Sequence, residues 1–195
     1  MGVDPLKRRA VFLDRDGVIN RAVVRGGVPR PPSTPSELEI LPGVPSALSR
    51  LKSAGFRLIV VTNQPDVARG VLSRKSVEEV HGILSARLPL DEIRVCWHDD
   101  ADRCPCRKPK PGMLLDAARE ARLDLSSSYM VGDRWRDIGA GKAAGCVTVF
   151  IDYGYAETPP ERPDAKVGSL MEAAEWILAR VEPKEHGGKG QNETR

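Results

Sequence analysis

The sequence predicts an α/β fold with a doubly wound, mostly parallel sheet and helices on both faces. Short β-branched runs alternate along the chain with segments of helical pattern, which is typical of this fold class. Each predicted strand ends near polar or glycine residues, and 195 residues suffice for one domain with its own core. We therefore expect a single domain over residues 1–181, followed by a polar, flexible tail over residues 182–195.

The predicted strands are five short apolar runs. In chain order they cover residues 10–13, 57–61, 93–97, 129–131 and 147–151. Because ligands of an open parallel sheet bind beyond the carboxyl ends of its strands, the residues that follow these runs are the candidates for a functional site.

Five further segments have a helical pattern. They cover residues 44–54, 73–87, 112–121, 136–144 and 170–180. Pro111 stands near the first turn of the third helix, where a missing backbone N–H costs least. Ser169 and Glu172 have the spacing of a capping box at the start of the last helix.

One connection, residues 21–42, is rich in proline and glycine and longer than an ordinary loop. We expect it to form a flap over the site. Its arginines fit either of two roles, contact with a distal anionic group or solubility of an exposed loop: Arg21, Arg25 and Arg30.

Composition argues against two classes of partner. The 30 basic and 27 acidic residues give a net charge of +3 spread along the chain, and only 5% of residues are aromatic, so a nucleic-acid groove is not indicated. No segment is long and apolar enough to span a bilayer, and the N-terminal residues do not resemble a signal peptide, so we expect no membrane contact. We expect a cytoplasmic protein, with a monomer as the default state.

The run VFLDRDGVIN, residues 11–20, delivers two carboxylates into a glycine turn. Side chains alternate along a strand, so Asp14 and Asp16 can point the same way, while Gly17 permits a sharp turn. Like charges this close need a cation, and Mg²⁺ accepts carboxylates together with substrate phosphate oxygens. Phosphate chemistry is one hypothesis, and a solvated Asp-Gly turn fits the same fragment equally well.

Two other strand ends and one loop carry polar groups that suit a phosphate site. VVTNQ follows the second strand, MVGDRWRD follows the fourth, and CRKPKPGM precedes a helix. Hydroxyl and amide groups there can hold phosphoryl oxygens, carboxylates can complete a metal site, and cations can neutralise charge in the transition state. The residues concerned are Thr62, Asn63, Gln64, Arg107, Lys108, Asp133 and Asp137.

A second cluster, CWHDDADRCPC, has metal-ligand spacing. Cys96, His98, Cys104 and Cys106 form one C-x-H and one C-x-C pair, which suits tetrahedral zinc in a structural site without an open position. In a reducing compartment metal binding is favoured over disulfides, and the alternative is reduced cysteines without a metal. Cys146 stands apart in an apolar segment, where a small buried residue is expected.

Four ordered motifs, LDRDG, VTNQ, RKPKPG and VGDRWRD, resemble those of the haloacid dehalogenase-like (HAD-like) hydrolase superfamily, over a span from Val11 to about Ile151. The resemblance implies a phosphatase with the Rossmann-like fold of that superfamily and a minimal cap. A zinc-braced loop at this position is similar to one branch, which comprises D-glycero-D-manno-heptose 1,7-bisphosphate phosphatases and histidinol-phosphate phosphatases.

The resemblance also implies roles for the motif residues. Asp14 would be the nucleophile that forms an aspartyl-phosphate, and Asp16 the general acid and base. Mg²⁺ would bind Asp14, the backbone carbonyl of Asp16, and Asp133. Thr62 and Lys108 would stabilise the phosphoryl oxygens. Substrate contacts are expected from Asn63, Gln64, Arg107, Lys108 and Arg134, while Asp137 is expected behind the metal ligands or as a helix residue.

Within the branch, the runs ILPGV, VVTNQPDVARG, CRKPKPGML and SYMVGD look more like the heptose enzymes. Three features depart from their pattern: a short spacer between His98 and Cys104, Trp97 in place of a proline, and Arg134 in place of a lysine. The short spacer also suits histidinol-phosphate phosphatases. We expect a phosphorylated sugar, with heptose 1,7-bisphosphate as the substrate and histidinol phosphate as the alternative.

Two more distant alternatives remain. A polynucleotide phosphatase of the same superfamily would need a basic groove with stacking aromatics. A non-catalytic domain that binds magnesium or partners would not need both Asp14 and Asp16, which are intact here.

Overall fold

The computed structural model describes residues 8–25 and 28–181. Its strands, in chain order, are β1 (Ala10–Leu13), β2 (Val23–Arg25), β3 (Val28–Arg30), β4 (Arg57–Asn63), β5 (Glu92–Cys96), β6 (Tyr129–Gly132), β7 (Val147–Ile151) and β8 (Ala165–Val167). Its α-helices are α1 (Val44–Ser53), α2 (Pro65–Ala68), α3 (Arg74–Arg87), α4 (Gly112–Ala121), α5 (Trp135–Ala144) and α6 (Leu170–Val181).

The central sheet has six parallel strands in the order β5-β4-β1-β6-β7-β8. The five predicted strands and the five predicted helices are all present, with ends shifted by at most two residues. The predicted fold class, a doubly wound parallel sheet, is therefore confirmed. The edge strand β8, the hairpin β2–β3 and the four-residue helix α2 were not predicted, because each is too short to show a periodic pattern.

Two apolar clusters cover the two faces of the sheet. Because side chains alternate along a strand, Val11 and Leu13 of β1 enter one cluster, and Ala10 and Phe12 enter the other. Helices α1, α3 and α6 close the first face, and α4 and α5 close the second. The rigid centre this creates fixes the position at which β1, β4 and β6 end.

Those three strands end at the same edge of the sheet. Leu13 pairs with Val60 of β4 and with Val131 of β6, so the residues after each strand converge. Gly17 closes the turn after β1 with φ +88°, and a Cβ there would lie 1.9 Å from the Asp133 carboxylate oxygen Oδ2. Only glycine allows this turn to approach Asp133 so closely.

The connection over residues 21–42 contains the antiparallel hairpin β2–β3 and a short 3₁₀ helix, Pro35–Glu37. The hairpin is a separate two-stranded sheet beside the main one. The side chain of Arg25 and the expected tail, residues 182–195, lie outside the described residues. Within the described ranges, no helix has both the length and the apolarity to cross a membrane.

Candidate active site

A cleft of about 250 Å³ opens above the carboxyl edge of the sheet. Carboxylates and strand-end polar groups form its floor, and basic residues form its walls. Among the predicted site residues, those that line it are Asp14, Asp16, Thr62, Asn63, Arg107, Lys108, Arg134 and Asp137.

Asp14, directly after β1, lies on the cleft floor. One of its oxygens, Oδ1, accepts the backbone N–H of Arg15 at 2.7 Å and lies 2.8 Å from the Lys108 ammonium. Burial, and after it the negative charge of Asp137, raises the pKa of Asp14 to about 6. The carboxylate is therefore held as an anion only with help from neighbouring positive charge.

Lys108 supplies that charge. Its ammonium lies 2.8 Å from Asp14 and 2.6 Å from Asp137, and it donates to the carbonyl of Val61 at 2.7 Å. Burial disfavours the charged form, but the two carboxylates outweigh it and raise the pKa of Lys108. The Asn63 amide holds the Lys108 backbone at both its N–H (3.1 Å) and its carbonyl (3.0 Å). Lys108 is thus a fixed cation at neutral pH.

Asp133, directly after β6, is buried beneath the cleft. Within the described part of the chain, neither of its carboxylate oxygens has a hydrogen-bond partner of acceptable geometry, although the neighbouring Tyr155 hydroxyl acts to lower its pKa. Burial, and after it the charge of Asp14, raises the pKa of Asp133 well above its usual range. One oxygen from each of Asp14, Asp133 and Asp137 lies within 4.8 Å of the others. An unpartnered carboxylate such as that of Asp133, held close to two further acids, fits a divalent cation.

Asp137 differs from Asp133 because protein groups already satisfy it. Its Oδ2 accepts the backbone N–H of Arg134 at 3.0 Å in the first turn of α5, and its Oδ1 pairs with Lys108. Asp137 therefore anchors Lys108 and the start of α5. This position agrees with a place behind the metal ligands.

Asp16 lies at the side of the cleft, held by three neighbours. The Arg15 guanidinium contacts both of its oxygens at 2.7–3.1 Å, and the amides of Asn20 and Gln64 donate to it at 2.9 Å and 3.1 Å. Gln64 also donates to the Thr62 hydroxyl at 2.9 Å. Gln64 was expected to contact substrate, but it is buried below the cleft and instead positions Asp16 and Thr62.

The residues that hold Asp16 were largely missed from the sequence. Arg15 was visible as the one charged residue between the two aspartates of the motif, which is an uncommon place for a cation. His81, which contacts Arg15, lies in α3 and has no signal in the sequence that distinguishes it from a surface histidine.

The basic wall includes both predicted arginines. Arg107 is nine-tenths buried, binds the Asp100 carboxylate through Nε at 2.8 Å, and has no partner for Nη1 within the part of the chain described. Arg134 binds Glu157 with both prongs of its guanidinium. Arg107 therefore keeps a free donor, whereas Arg134 is already engaged.

The structure separates the loop arginines. Arg30, at the end of β3, lines the outer part of the cleft. Arg21 forms an exposed ion pair with Glu39 at 2.7 Å and does not line this cleft. Contact with a distal anion thus fits Arg30, and the solvated role fits Arg21.

The Cys/His cluster lies beside the cleft, at the end of β5. Its sulfur atoms are 3.2–3.6 Å apart, and the Nδ1 atom of His98 is 3.4 Å from Cys106 and 3.7 Å from Cys96. Four ligands at about 2.3 Å from a central ion have edges of about 3.8 Å, so the arrangement fits a tetrahedral metal. Cys146 is buried and outside this cluster, as predicted.

The family model for haloacid dehalogenase-like hydrolases matches residues 33–145, more than half of the chain. The chain belongs to this family. The predicted enzyme class, a phosphatase of the HAD-like family, is confirmed by relatives that cover most of the chain. Among the described residues the fold, the strand-end acids and the basic wall are consistent with it.

This HAD-like hydrolase is similar to two curated bacterial proteins named D-glycero-β-D-manno-heptose-1,7-bisphosphate 7-phosphatase. The protein from Helicobacter pylori J99 is 34% identical over 176 residues, which cover 87% of this chain and 97% of that protein. The Escherichia coli K12 protein is 37% identical over 182 residues, which cover 87% of each.

Two solved structures are also similar to this chain. The D,D-heptose 1,7-bisphosphate phosphatase of B. bronchiseptica, complexed with magnesium and phosphate, is 30% identical with a TM-score of 0.73, covering 89% of this chain and 99% of that one. The corresponding protein from Burkholderia thailandensis is 27% identical with a TM-score of 0.61, covering 88% and 99%.

Proposed function

We propose that this HAD-like phosphatase hydrolyses the 7-phosphate of D-glycero-D-manno-heptose 1,7-bisphosphate. The observation that carries the proposal is that several relatives at 34–38% identity, matched over most of their length, bear the name of this activity. The cleft supports it, because buried acids suited to a cation lie below a wall of arginines suited to an anionic substrate.

The carboxylate cluster fits Mg²⁺. The ion would be held by Asp14, the backbone carbonyl of Asp16, and Asp133, whose two unpartnered oxygens are the strongest sign of a missing ligand. When bound, Mg²⁺ supplies charge neutralisation at the phosphoryl oxygens. The relative from B. bronchiseptica was solved with magnesium and phosphate.

The reaction proceeds in two displacements. An Asp14 oxygen attacks phosphorus, the bond from phosphorus to the sugar oxygen breaks, and Asp16 gives its proton to the departing sugar alkoxide. Asp16 then takes a proton from water as that water attacks the aspartyl-phosphate. The products are inorganic phosphate and regenerated Asp14.

Other cleft residues orient and stabilise the phosphoryl group. The Lys108 ammonium contacts the nucleophile, Thr62 lines the same cleft, and both residues suit the developing negative charge. Asn63 acts through the Lys108 backbone that it clamps. Arg107 also lines the cleft, and its guanidinium charge suits a further anionic group of the substrate.

Zinc would fill the Cys/His cluster as a structural ion. The donor set of three thiols and one imidazole leaves no open position for catalysis. The last ligand, Cys106, directly precedes Arg107 and Lys108, so zinc would hold in place the two cations that face the substrate.

The cytoplasmic location and the monomeric state of this protein stay predictions.

The test is phosphate release by the purified protein with Mg²⁺. The values of kcat/KM are compared for both anomers of heptose 1,7-bisphosphate, histidinol phosphate and fructose 1,6-bisphosphate, with Asp14→Asn as the inactive control. We expect heptose 1,7-bisphosphate to be preferred. A preference for histidinol phosphate would replace the proposed substrate, and equal turnover by Asp14→Asn would exclude the proposed nucleophile.

A further inference from the structure

A buried arginine–histidine pair stands behind the catalytic cluster, and the reaction scheme above does not use it. Arg15, between the two motif aspartates, is 1% exposed, and His81 of α3 is 9% exposed. The Arg15 Nη1 atom lies 2.9 Å from the His81 Nε2 atom. Burying a guanidinium is costly unless its donors are hydrogen-bonded, and His81 accepts from one of the donors of Arg15.

The chemistry of the pair fixes the direction of the hydrogen bond. A guanidinium offers only donors, so Nε2 of His81 accepts and the ring carries its proton on Nδ1. Burial, and after it the charge of Arg15, lowers the pKa of His81 to about 4, which agrees with a neutral ring at pH 7. His81 therefore serves Arg15 as an uncharged acceptor.

The other side of Arg15 faces the catalytic acids. Its Nε and Nη2 atoms donate to Asp16 Oδ1 at 3.1 Å and Oδ2 at 2.7 Å, which fixes the plane of that carboxylate. Its backbone N–H donates to Asp14 at 2.7 Å. One residue thus sets the position of the nucleophile and of the general acid, and His81 holds the far end of its side chain.

We propose that His81 is a positioning residue for proton transfer by Asp16, acting through Arg15. Without the His81 acceptor on α3, the guanidinium of Arg15 loses one of the hydrogen bonds that hold it in place. The Asp16 carboxyl that it orients then spends less time in the position for proton transfer to the leaving oxygen. The proposal rests on the proposed phosphatase function and assigns a role to a residue outside the four motifs.

The expected signature depends on the leaving group. A sugar alkoxide needs a proton from Asp16 as it departs, whereas p-nitrophenolate leaves without one. Because kcat/KM reports steps up to the first irreversible one, it isolates formation of the aspartyl-phosphate. Loss of positioning should therefore lower kcat/KM for a sugar phosphate far more than for p-nitrophenyl phosphate.

The experiment compares His81→Leu, which removes the acceptor, with His81→Gln, whose amide oxygen can replace it. For His81→Leu we expect kcat/KM to fall about 10-fold on the sugar phosphate that the wild type hydrolyses best, a part of the roughly 10²–10⁴-fold that acid–base catalysis supplies, and less than about 2-fold on p-nitrophenyl phosphate. His81→Gln should restore most of the loss. Leu84→Ala, which truncates a fully buried residue of the same helix, should lower stability without a dependence on the leaving group.

Equal losses on both substrates, or no difference between the Leu and Gln variants, would overturn the proposal. Should His81→Leu fail to fold, the ¹⁵N shifts of the wild-type imidazole decide: an unprotonated, hydrogen-bonded Nε2 supports the proposal, and a protonated Nε2 overturns it. A wild type that hydrolyses neither substrate would overturn the proposed function itself, whereas an active wild type with an unaffected His81→Leu variant would overturn only the role of His81.

Discussion

Asp133 combines deep burial with two carboxylate oxygens that lack partners in the described structure. Its raised pKa, caused first by burial and then by Asp14, means that the metal-free protein is destabilised by the charge at this position. The neutral side chain of asparagine has nearly the same shape and removes that cost. Residue 133 is therefore a place where metal binding and folding stability oppose each other.

We predict that Asp133→Asn raises the Tm of the metal-free protein by a few degrees, since about 1 kcal/mol corresponds to about 2–4 °C in a domain of this size. The wild type should gain about 3 kcal/mol with Mg²⁺ at about 100 times its Kd, whereas the variant should gain almost nothing. Thermal unfolding with EDTA and with Mg²⁺ checks both. Asp116→Asn, at an exposed carboxylate on α4, is the control, and a lower metal-free Tm for Asp133→Asn would contradict the prediction.

The buried ring of His81 makes stability depend on pH. Its pKa is lowered to about 4 by burial and then by Arg15, while the unfolded ring titrates near its ordinary value of 6.5. Between these values the unfolded chain binds a proton that the folded chain does not, so this stability is full above pH 6.5 and is lost as pH falls to about 4. The loss amounts to about 3 kcal/mol. Urea unfolding of wild type and His81→Gln with EDTA should show a difference that changes across this interval, and a constant difference would contradict it.

Local pattern points to the proposed reacting residues, because each lies at or just after the end of an apolar run that is visible in the sequence. Asp14 and Asp133 directly follow β1 and β6, and Thr62 is the next-to-last residue of β4. Gln64, for which substrate contact was predicted, is buried and bonds to Asp16 and Thr62, whereas its neighbour Asn63 lines the cleft. The burial of Gln64 depends on the change of chain direction at α2, which begins at the next residue and was not predicted. Support for Asp16 from His81 comes from packing between distant segments, which no local pattern reports.

At the level of elements, the Cys/His loop links the end of β5 to the two cations of the cleft. Cys96 ends β5, and Cys106 directly precedes Arg107, whose Nε binds Asp100 in the short 3₁₀ helix Asp100–Asp102 of the same loop. A metal that ties the loop together therefore fixes the guanidinium as well as the chain. Loss of the ion should therefore weaken substrate binding as well as lower the stability of the fold.

We predict that Cys106→Ser releases zinc, lowers Tm and raises KM for the bisphosphate about 10-fold or more, the order of effect expected when a site loses its supporting ligands. Zinc content by atomic spectroscopy and steady-state kinetics measure these effects. Cys146→Ser is the matched control, because that cysteine is buried and free but outside the cluster, so it should change neither zinc content nor KM. Unchanged zinc content in Cys106→Ser would show that the cluster is not a metal site.

Length decides which elements the sequence can reveal. Segments with enough residues to show periodicity, such as α3 and β4, were predicted within two residues of their ends. The strands β2, β3 and β8 have three residues each, too few for alternation to be distinguished from chance. They form by pairing with neighbours, and β3 even contains a proline, which sequence patterns count against a strand.

At the scale of the whole molecule, the residues that form the core and the residues of the hairpin that lines the cleft belong to different segments. The two apolar clusters, as far as the chain is described, draw on the central sheet and its helices and contain no residue of the hairpin β2–β3. The hairpin instead places Pro29 and Arg30 against the outer cleft. Val23 and Arg30 pair across it, so its two ends lie close enough to be joined by a short linker.

We therefore predict that replacing residues 23–30 with a short Gly-Ser linker lowers Tm by less than about 5 °C, a small part of the stability of a domain this size. Because Arg30 is removed from the cleft, kcat/KM for heptose 1,7-bisphosphate should fall about 10-fold or more, the equivalent of about 1.4 kcal/mol, while p-nitrophenyl phosphate, which lacks a distal anion, is much less affected. Arg30→Ala should reproduce most of this selectivity change, and Arg21→Ala, at the exposed pair with Glu39, should not. A much larger fall in Tm would show that the hairpin is needed for folding. Equal losses of kcat/KM on both substrates would show that the hairpin does not contribute to substrate selectivity.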